Sequence, residues 1–592
     1  MKGTIMSEYL SCCREKIAQQ CAGFFCLFFL VLPVSAQEEA VQNENTLPPT
    51  LSAWMHVKQH PDLQLHDFSN RADDLQHLYA LFNNQFLWVN TENSELSAVL
   101  RLLDNAAENG LNKADYDSES LTKRWQQLSA QGSDVSEEQL ARLDTAVSIS
   151  LLRYLHDLHY GRVNPKGINY NLKLREKKLL DLPVLIKEHI IKHEVLSLQQ
   201  HIEPQLAQYQ LLKRALVQYR KLASVTPPYH FSLQQPVHPG ELYPQLAELR
   251  MLLMTLADLA VTPTNPNETK DNRYQNEEVT AVKKFQYRHG LAADGVIGAS
   301  TIAELNTPLA RRVMQLELAM ERLRWLPSLS SDPSILVNIP AFELLAYENV
   351  NDPQASVLKM PVVVGRAMKN QTPVLMASMS FIDFAPYWNV PYKIVKEELL
   401  PKLQQNPSFL AHENMELVSS NGVVEFDFSS LSLLKQGTIR IRQRPGKKNA
   451  LGKVKFLFPN KDDVYLHDTP ANALFGRSRR DFSHGCVRVS DPEALALFAL
   501  RNQPKWDQES IRKAMTSPKM QRVFLKTPIP VLFFYVTAFF DQQNELIFYP
   551  DIYEQDGVLQ EALKQAEDLS DQLLFASKSG GTTDKTATDF TE

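Results

Sequence analysis

The chain predicts a multidomain α+β protein. A helical scaffold comes first, a three-helix module follows, and a mixed, mainly-β domain with an inserted lid lies towards the end. Three observations lead there. At 592 residues the chain is too long for one hydrophobic core, and its 44% hydrophobic and 22% charged residues are those of ordinary globular domains. Apolar residues recur at helical spacing as far as Leu326, but after Pro333 they fall into short aliphatic and aromatic runs bounded by Gly, Pro and Asn. Between these regimes lies a glycine-punctuated stretch, Gly290 to Thr301. A formal net charge of −6 argues against a general nucleic-acid binder.

Residues 1–36 read as a secretory signal. Lys2, Arg14 and Lys16 precede an apolar run from Cys21 to Leu32, broken only at Gly23, and Val34-Ser35-Ala36 is a small-residue cleavage site. Left uncleaved, this segment would act as a signal anchor, the one membrane attachment in this reading. Residues 37–50 form a polar, proline-ended leader.

Residues 51–235 read as the helical scaffold. Leu96, Val99, Leu100 and Leu103 share one face, Ala146 to Leu158 repeats the pattern, and Leu182 to Ala223 reads as two or more helices broken at Pro204. His189 and His193 have a spacing that could present two imidazoles for a metal, but no third ligand follows and H-E-x-x-H is not completed. A solvated helix face is the preferred reading, and no metal or organic cofactor is expected.

Residues 238–306 form the middle module. Glu241 to Ala260 and Glu277 to His289 read as helices, a polar loop from Thr262 to Asp271 joins them, and a third short helix starts at Ala299 or Ser300. Residues 330–555 form the mainly-β domain, a sandwich or barrel. Its runs are Ile335–Ile339, Glu343–Tyr347, Leu358–Val364 and Met379–Phe384, and Leu532–Phe540 with Leu546–Tyr549 reads as a closing hairpin. The insertion covers about 397–437 and reads as a lid over a reactive centre. Residues 556–592 hold a helix from Val558 to Leu574 and a Ser/Thr/Gly-rich tail.

Chemistry concentrates at Ser483-His484-Gly485-Cys486-Val487-Arg488. Of five cysteines, Cys12, Cys13, Cys21 and Cys26 lie in the signal, so its removal leaves Cys486 as the one thiol. A thiol beside histidine and glycine suits a nucleophile, which needs a base or positive field and flexible amides for an oxyanion. The plainer alternative is a small buried apolar residue. His467, in Tyr465-Leu466-His467-Asp468-Thr469, follows a strand and could face Cys486 across a loop as its base. Asp468 is adjacent, but neighbours on a strand point to opposite faces, so the group orienting the imidazole is left open.

Two resemblances join these observations. Phe285-Gln286, Gly290-Leu291 and Asp294-Gly295-x-x-Gly298-x-x-Thr301 resemble the peptidoglycan-binding type 1 module. His467 followed by Ser483-His484-Gly485-Cys486-x-Arg488 resembles the signature of the L,D-transpeptidase (YkuD-type) catalytic family. The order of domains is similar to that of its large Gram-negative branch, which implies a periplasmic protein of wall biogenesis and cell shape.

The resemblance implies a donor tetrapeptide stem and an acceptor stem as partners, along with other wall-synthesis enzymes and no nucleic acid. His467 would deprotonate Cys486, and the thiolate would attack the L-centre carbonyl of stem residue three. The amides of Gly485 and Cys486 would hold the oxyanion, worth roughly 3–4 kcal/mol per donor. D-Alanine would leave, and a diaminopimelate side-chain amine would resolve the thioester into a 3-3 cross-link. Arg488 would clamp a stem carboxylate. Tyr465, Trp388, Asn389 and Ser483 would line the cleft, and His484 would shape the oxyanion pocket.

Three rivals compete. Serine D,D-transpeptidase motifs occur at Ser356-x-x-Lys359, Ser419-x-Asn421 and Lys578-Ser579-Gly580, but S-x-x-K recurs at Ser120 and Ser432, and the last motif falls in the tail. An L,D-carboxypeptidase would use the same pair with water as acceptor. A non-catalytic wall-binding scaffold would need a decayed site, against which the intact His467/Cys486 pair speaks.

Overall fold

The computed structural model describes residues 54–89, 95–165, 170–171, 180–260, 272–326, 333–350, 352 and 355–565. The signal, the leader, the loop Thr262–Asp271 and the tail Ser577–Glu592 lie outside the described residues.

The scaffold packs α1 (Ala72–Leu81), α2 (Leu96–Asp104), α3 (Ser118–Gln131), α5 (Leu182–Ile191) and α6 (Ala207–Val225) around the central α4 (Glu137–Tyr160). A reciprocal cap between Ser136 and Gln139 starts α4, and Gly161 at φ 82 ends it. Asp144 is fully buried on α4. Its carboxylate accepts the amides of Leu87, Trp88 and Val89 at 2.9, 2.7 and 3.2 Å, and the Tyr79 hydroxyl at 2.5 Å. This set of donors satisfies a group that burial would otherwise make costly.

The expectation of a solvated face carrying His189 and His193 does not hold. His189 is buried and its Nδ1 donates to the Leu185 carbonyl at 2.9 Å. His193 lies past the end of α5, at φ 56, and its Nδ1 is 3.2 Å from Glu95 Oε1. The two imidazoles therefore do not share a helix face.

The module has its own core, formed by α7 (Leu246–Thr255), α8 (Glu277–Arg288) and α9 (Ala299–Leu305). Helix α7 is shorter than the predicted Glu241–Ala260. Leu242 forms a β-bridge with Arg273 before it, and Ala257 adopts φ 59 just after it. The fixed spacings of the motif have a physical cause in Gln286. Its Nε2 lies within 2.9–3.1 Å of Asp294 Oδ1, the Val296 carbonyl and Thr301 Oγ1, while its Oε1 accepts the Gly295 amide at 2.8 Å.

Helix α10 (Leu309–Arg324) is the joint between domains. Glu321 Oε1 accepts the Arg162 and Val163 amides at 2.6 and 3.1 Å, and its Oε2 pairs with Arg324 at 2.8 Å. Arg322 pairs with Asp556, whose other oxygen accepts Thr537 Oγ1 at 2.8 Å. These charges are buried but paired, the condition under which burial is tolerated.

The mainly-β domain is a closed barrel. Besides a short strand β1 (Tyr170–Asn171), which pairs parallel with the start of β5, it contains β2 (Ser334–Asn338), β3 (Glu343–Tyr347), β4 (Val357–Gly365) and β5 (Val374–Phe384). After an insertion with β6 (Trp388–Asn389), β7 (Met415–Ser419), β8 (Gly422–Val424) and β9 (Arg440–Gln443) come β10 (Val454–Leu457), β11 (Leu466–His467), β12 (Asp481–Ser483), β13 (Val487–Val489) and β14 (Gln521–Phe534). The order is β5-β10-β11-β13-β4-β3-β2-β14, and β14 pairs back onto β5. Alternation places Val454, Phe456, Leu466, Val487 and Val489 inside the core.

The predicted closing hairpin is split. Leu532–Phe534 belongs to β14 in the barrel, and only β15 (Ala538–Phe540) pairs with β16 (Leu546–Phe548). The chain leaves the barrel at Tyr535-Val536, where the Tyr535 hydroxyl donates to Asp551 at 2.5 Å and the Val536 amide to Asn338 Oδ1 at 3.1 Å. The freed hairpin then bridges the domains. Gln208 of α6 exchanges two hydrogen bonds with Phe540, and Phe548 stacks against His289 of the module.

The insertion is larger than the 397–437 read from sequence. Trp388–Asn389 and Arg440–Gln443 are not its flanks. They pair with each other as its stem, and Val390 and Ile441 belong to its separate core.

Candidate active site

A cleft of about 830 Å³ lies between the outer face of the barrel and the insertion. Its floor comes from β10, β11 and β13. Register sets that floor: His467 lies opposite Arg488 on one side and Lys455 on the other. Continuing this alternation places Tyr465 beside Cys486, and the Val487 amide donates to the Tyr465 carbonyl at 3.1 Å.

The loop before Cys486 is held from beneath. Gly485 adopts φ 116, which favours glycine, and its carbonyl accepts Thr372 Oγ1 at 2.8 Å. The same Thr372 oxygen accepts the Gly365 amide at 2.8 Å. At Gly365 itself a Cβ would meet the Asn370 carbonyl, so the β4–β5 loop can close under the site only with glycine there.

His467 is buried, and its Nδ1 lies 2.5 Å from the Asp468 carbonyl. A carbonyl only accepts, so Nδ1 carries the proton and Nε2 is the basic nitrogen. The orienting group left open by the sequence is therefore the main chain of Asp468. Its carboxylate pins that carbonyl in place by accepting the Lys453 and Thr469 amides, both at 2.7 Å. Burial holds the His467 pKa down at about 3, with Arg488 and Lys455 pushing the same way.

Cys486 is the free cysteine among the described residues and is half-buried. Its Sγ lies 3.8 Å from the Asp463 carbonyl. Burial pushes the thiol pKa up. Hydrogen bonds from Tyr465 and the charge of Lys455 oppose that shift.

Several expected roles change. The Gly485 amide donates to Ser483 Oγ at 3.1 Å, so it is engaged within the loop and is not a free oxyanion donor. Ser483 is buried and its hydroxyl donates to the Cys486 carbonyl at 2.5 Å, so it clamps the loop, with no hydroxyl proton left for substrate. His484 lines the cleft with its Nε2 2.6 Å from Glu398 Oε1 of the insertion, so that nitrogen is engaged by the insertion. Trp388, Asn389 and Tyr465 line the cleft. Arg488 also lines it, and its buried Nε has no acceptor among the described residues.

Sequence reasoning missed Lys455, Thr372 and Glu398. Lys455 sits in Val454-Lys455-Phe456-Leu457, where alternation marks only an outward position. Thr372 and Glu398 stand in no motif, and only the folded register brings them here.

The outer face of the barrel thus brings a loop-borne thiol and an imidazole with its proton fixed on Nδ1 into one cleft. Residues 332–511 match the L,D-transpeptidase catalytic domain family (YkuD), residues 244–305 a family described as "Putative peptidoglycan binding domain", and residues 73–216 a scaffold domain family. The chain thus carries an L,D-transpeptidase catalytic domain preceded by a peptidoglycan-binding domain and a helical scaffold. A Haemophilus influenzae protein described as "Putative L,D-transpeptidase" is 32% identical over 246 residues. That match covers 41% of this chain and 48% of the relative, so the chain spans about half the relative's length. The solved L,D-transpeptidase (residues 123–326) from Xylanimonas cellulosilytica is 16% identical, with a TM-score of 0.15, covering 52% of this chain and 100% of that one.

Proposed function

We propose that this protein is a peptidoglycan L,D-transpeptidase that forms 3-3 cross-links through a Cys486 acyl-enzyme. One observation carries the reading: the single cysteine outside the N-terminal signal lies on the floor of the cleft, near an imidazole whose Nδ1–H is fixed and whose Nε2 is basic. His467 Nε2 takes the proton from Sγ, and the thiolate attacks the carbonyl of stem residue three. The Cys486 amide receives the oxyanion. The protonated imidazole, held in surroundings that disfavour its charge, returns the proton to the departing D-alanine amine. A diaminopimelate side-chain amine on a second stem then displaces Sγ from the thioester. The acceptor-free Nε of Arg488 supports its role as a carboxylate clamp.

The reading includes export: residues 1–36 direct the chain to the periplasm, and N-terminal sequencing of the mature protein is expected to begin at Gln37. The chemistry is tested by incubating the purified protein with disaccharide tetrapeptide and resolving the products. A dimer with loss of one D-alanine is expected. Tripeptide alone would overturn the cross-linking assignment, and unchanged substrate would overturn the enzyme reading.

A further inference from the structure

The sheet beneath the cleft carries a line of ionisable groups, of which the mechanism above uses only His467 and Arg488. Reading across adjacent strands, register pairs Arg488 of β13 with His467 of β11, His467 with Lys455 of β10, Lys455 with Asp383 of β5, and Asp383 with Arg522 of β14. Directly opposed residues share a face, so these five groups form one row running beneath the insertion. Asp383 gives both carboxylate oxygens to Arg522, at 2.7 and 2.9 Å. Lys455 is therefore left without a dedicated carboxylate. Its Nζ instead stands 3.7 Å from the centroid of the Tyr465 ring, whose other neighbour in the row is His467 at 5.7 Å between ring centres.

A half-buried ammonium is costly unless something anionic answers it. The other charges facing the cleft are Lys393 and Glu398 from the insertion, Asp462 and Asp463 from the loop after β10, and Arg488. Glu398 is already taken by His484. Resting on the acyl-enzyme reading, we propose that Lys455 is the counter-cation of the Cys486 thiolate, a positioning residue whose charge favours ionised sulfur without passing through the imidazole. When the Sγ–H bond breaks, the electron pair stays on sulfur and the proton leaves to His467 Nε2 or to water. The ammonium acts on the sulfur charge in either case. The same placement opposes a resting imidazolium, so the thiolate draws its stabilisation from lysine and histidine remains a neutral proton acceptor. Burial dominates both groups, holding the Lys455 pKa down and pushing that of Cys486 up; against it, Cys486, Asp383 and Asp463 draw Lys455 up, and Lys455 draws Cys486 down while Asp463 pushes it up.

The test needs no acyl substrate. The rate of Cys486 carbamidomethylation by iodoacetamide, read by peptide mass spectrometry on the full chain, is followed from pH 5 to 10. Lys455→Met is expected to move the inflection upward and to slow alkylation at pH 7 by roughly 3- to 10-fold, the effect of a screened charge at short range. Lys455→Arg is expected to restore the wild-type profile, and Lys455→Gln repeats the test should the methionine variant not fold. The shift is expected to persist in a His467→Gln background. Superimposable profiles for wild type and the uncharged variants would overturn the proposal. So would a shift that vanishes in the His467→Gln background, because lysine would then be acting through the imidazole. A failed transpeptidation assay leaves this measurement untouched, so the two readings fail separately.

Discussion

The floor of the cleft shares the core of the barrel, whereas its roof packs around a core of its own. On the floor, Leu466, Val487 and Val489 are buried in the main cluster, and the outward residues between them are fixed by strand register. The roof hangs from one two-stranded stem, Trp388–Asn389 against Arg442–Gln443. It reaches the barrel loops through polar contacts at the surface: His484 to Glu398 at 2.6 Å and Lys393 to Asn370 at 2.9 Å. Exposed polar contacts of this kind are each worth about 0–1 kcal/mol. Groups that must hold position to within a fraction of an ångström are thus carried by the rigid part. The roof, with its own core and a single stem, is the part whose local stability can vary without disturbing the floor.

The largest expected effect lies on the floor. Cys486→Ala is expected to abolish dimer formation with a near-normal melting temperature, and His467→Ala to lower the rate by at least about 10³-fold. Thr372→Val sharpens the comparison one layer down. It removes the oxygen that joins the Gly365 amide to the Gly485 carbonyl, so both lose a buried partner. A stability loss of about 2–3 kcal/mol with a 10- to 100-fold drop in rate is expected, measured by denaturant titration and initial rates.

The two cores can be broken separately. Leu466→Ala in the barrel and Leu403→Ala in the insertion both remove fully buried side chains, at about 2–5 kcal/mol each. Hydrogen exchange is expected to show the first as global loss of protection and the second as loss confined to about residues 388–443. Global loss in both variants would erase the distinction between floor and roof.

Acid acts on the floor through His467. Its folded pKa, about 3, lies below the ordinary imidazole value of 6.5, so the unfolded chain binds a proton that the folded protein refuses. The stability this neutral imidazole confers is complete above pH 6.5 and is lost as pH falls from there towards 3. The slope reaches up to about 1.4 kcal/mol per pH unit. Urea titrations at stepped pH are expected to show a shallower acid slope for His467→Gln than for wild type.

The smallest effect belongs to the roof. Glu398→Gln weakens the contact with His484, and a change in KM of at most about threefold with unaltered kcat is expected.

The same divide explains what the sequence disclosed. Helices of the scaffold, the Gln286-centred loop of the module and the strand runs of the barrel were legible because each follows a local period or a turn that demands particular residues. Cys486 and His467 were legible because their neighbours form a compact signature. Lys455 was not, since an outward lysine on a strand looks like any solvated residue until register sets it opposite His467. Gly485 and Ser483 were assigned to substrate because sequence does not show that one binds the other. The insertion was drawn too short because its stem strands are only a few residues long and pair across a long sequence separation.

Cys486 is the acyl carrier in the proposed function. Rapid quenching of the protein with an excess of tetrapeptide muropeptide, followed by intact-mass measurement, tests this directly. Wild type is expected to carry an adduct equal to the donor minus D-alanine, labile to hydroxylamine, that is absent from Cys486→Ala. An adduct of the same mass on Cys486→Ala, or turnover by wild type with the Cys486 thiol free throughout, would contradict that role.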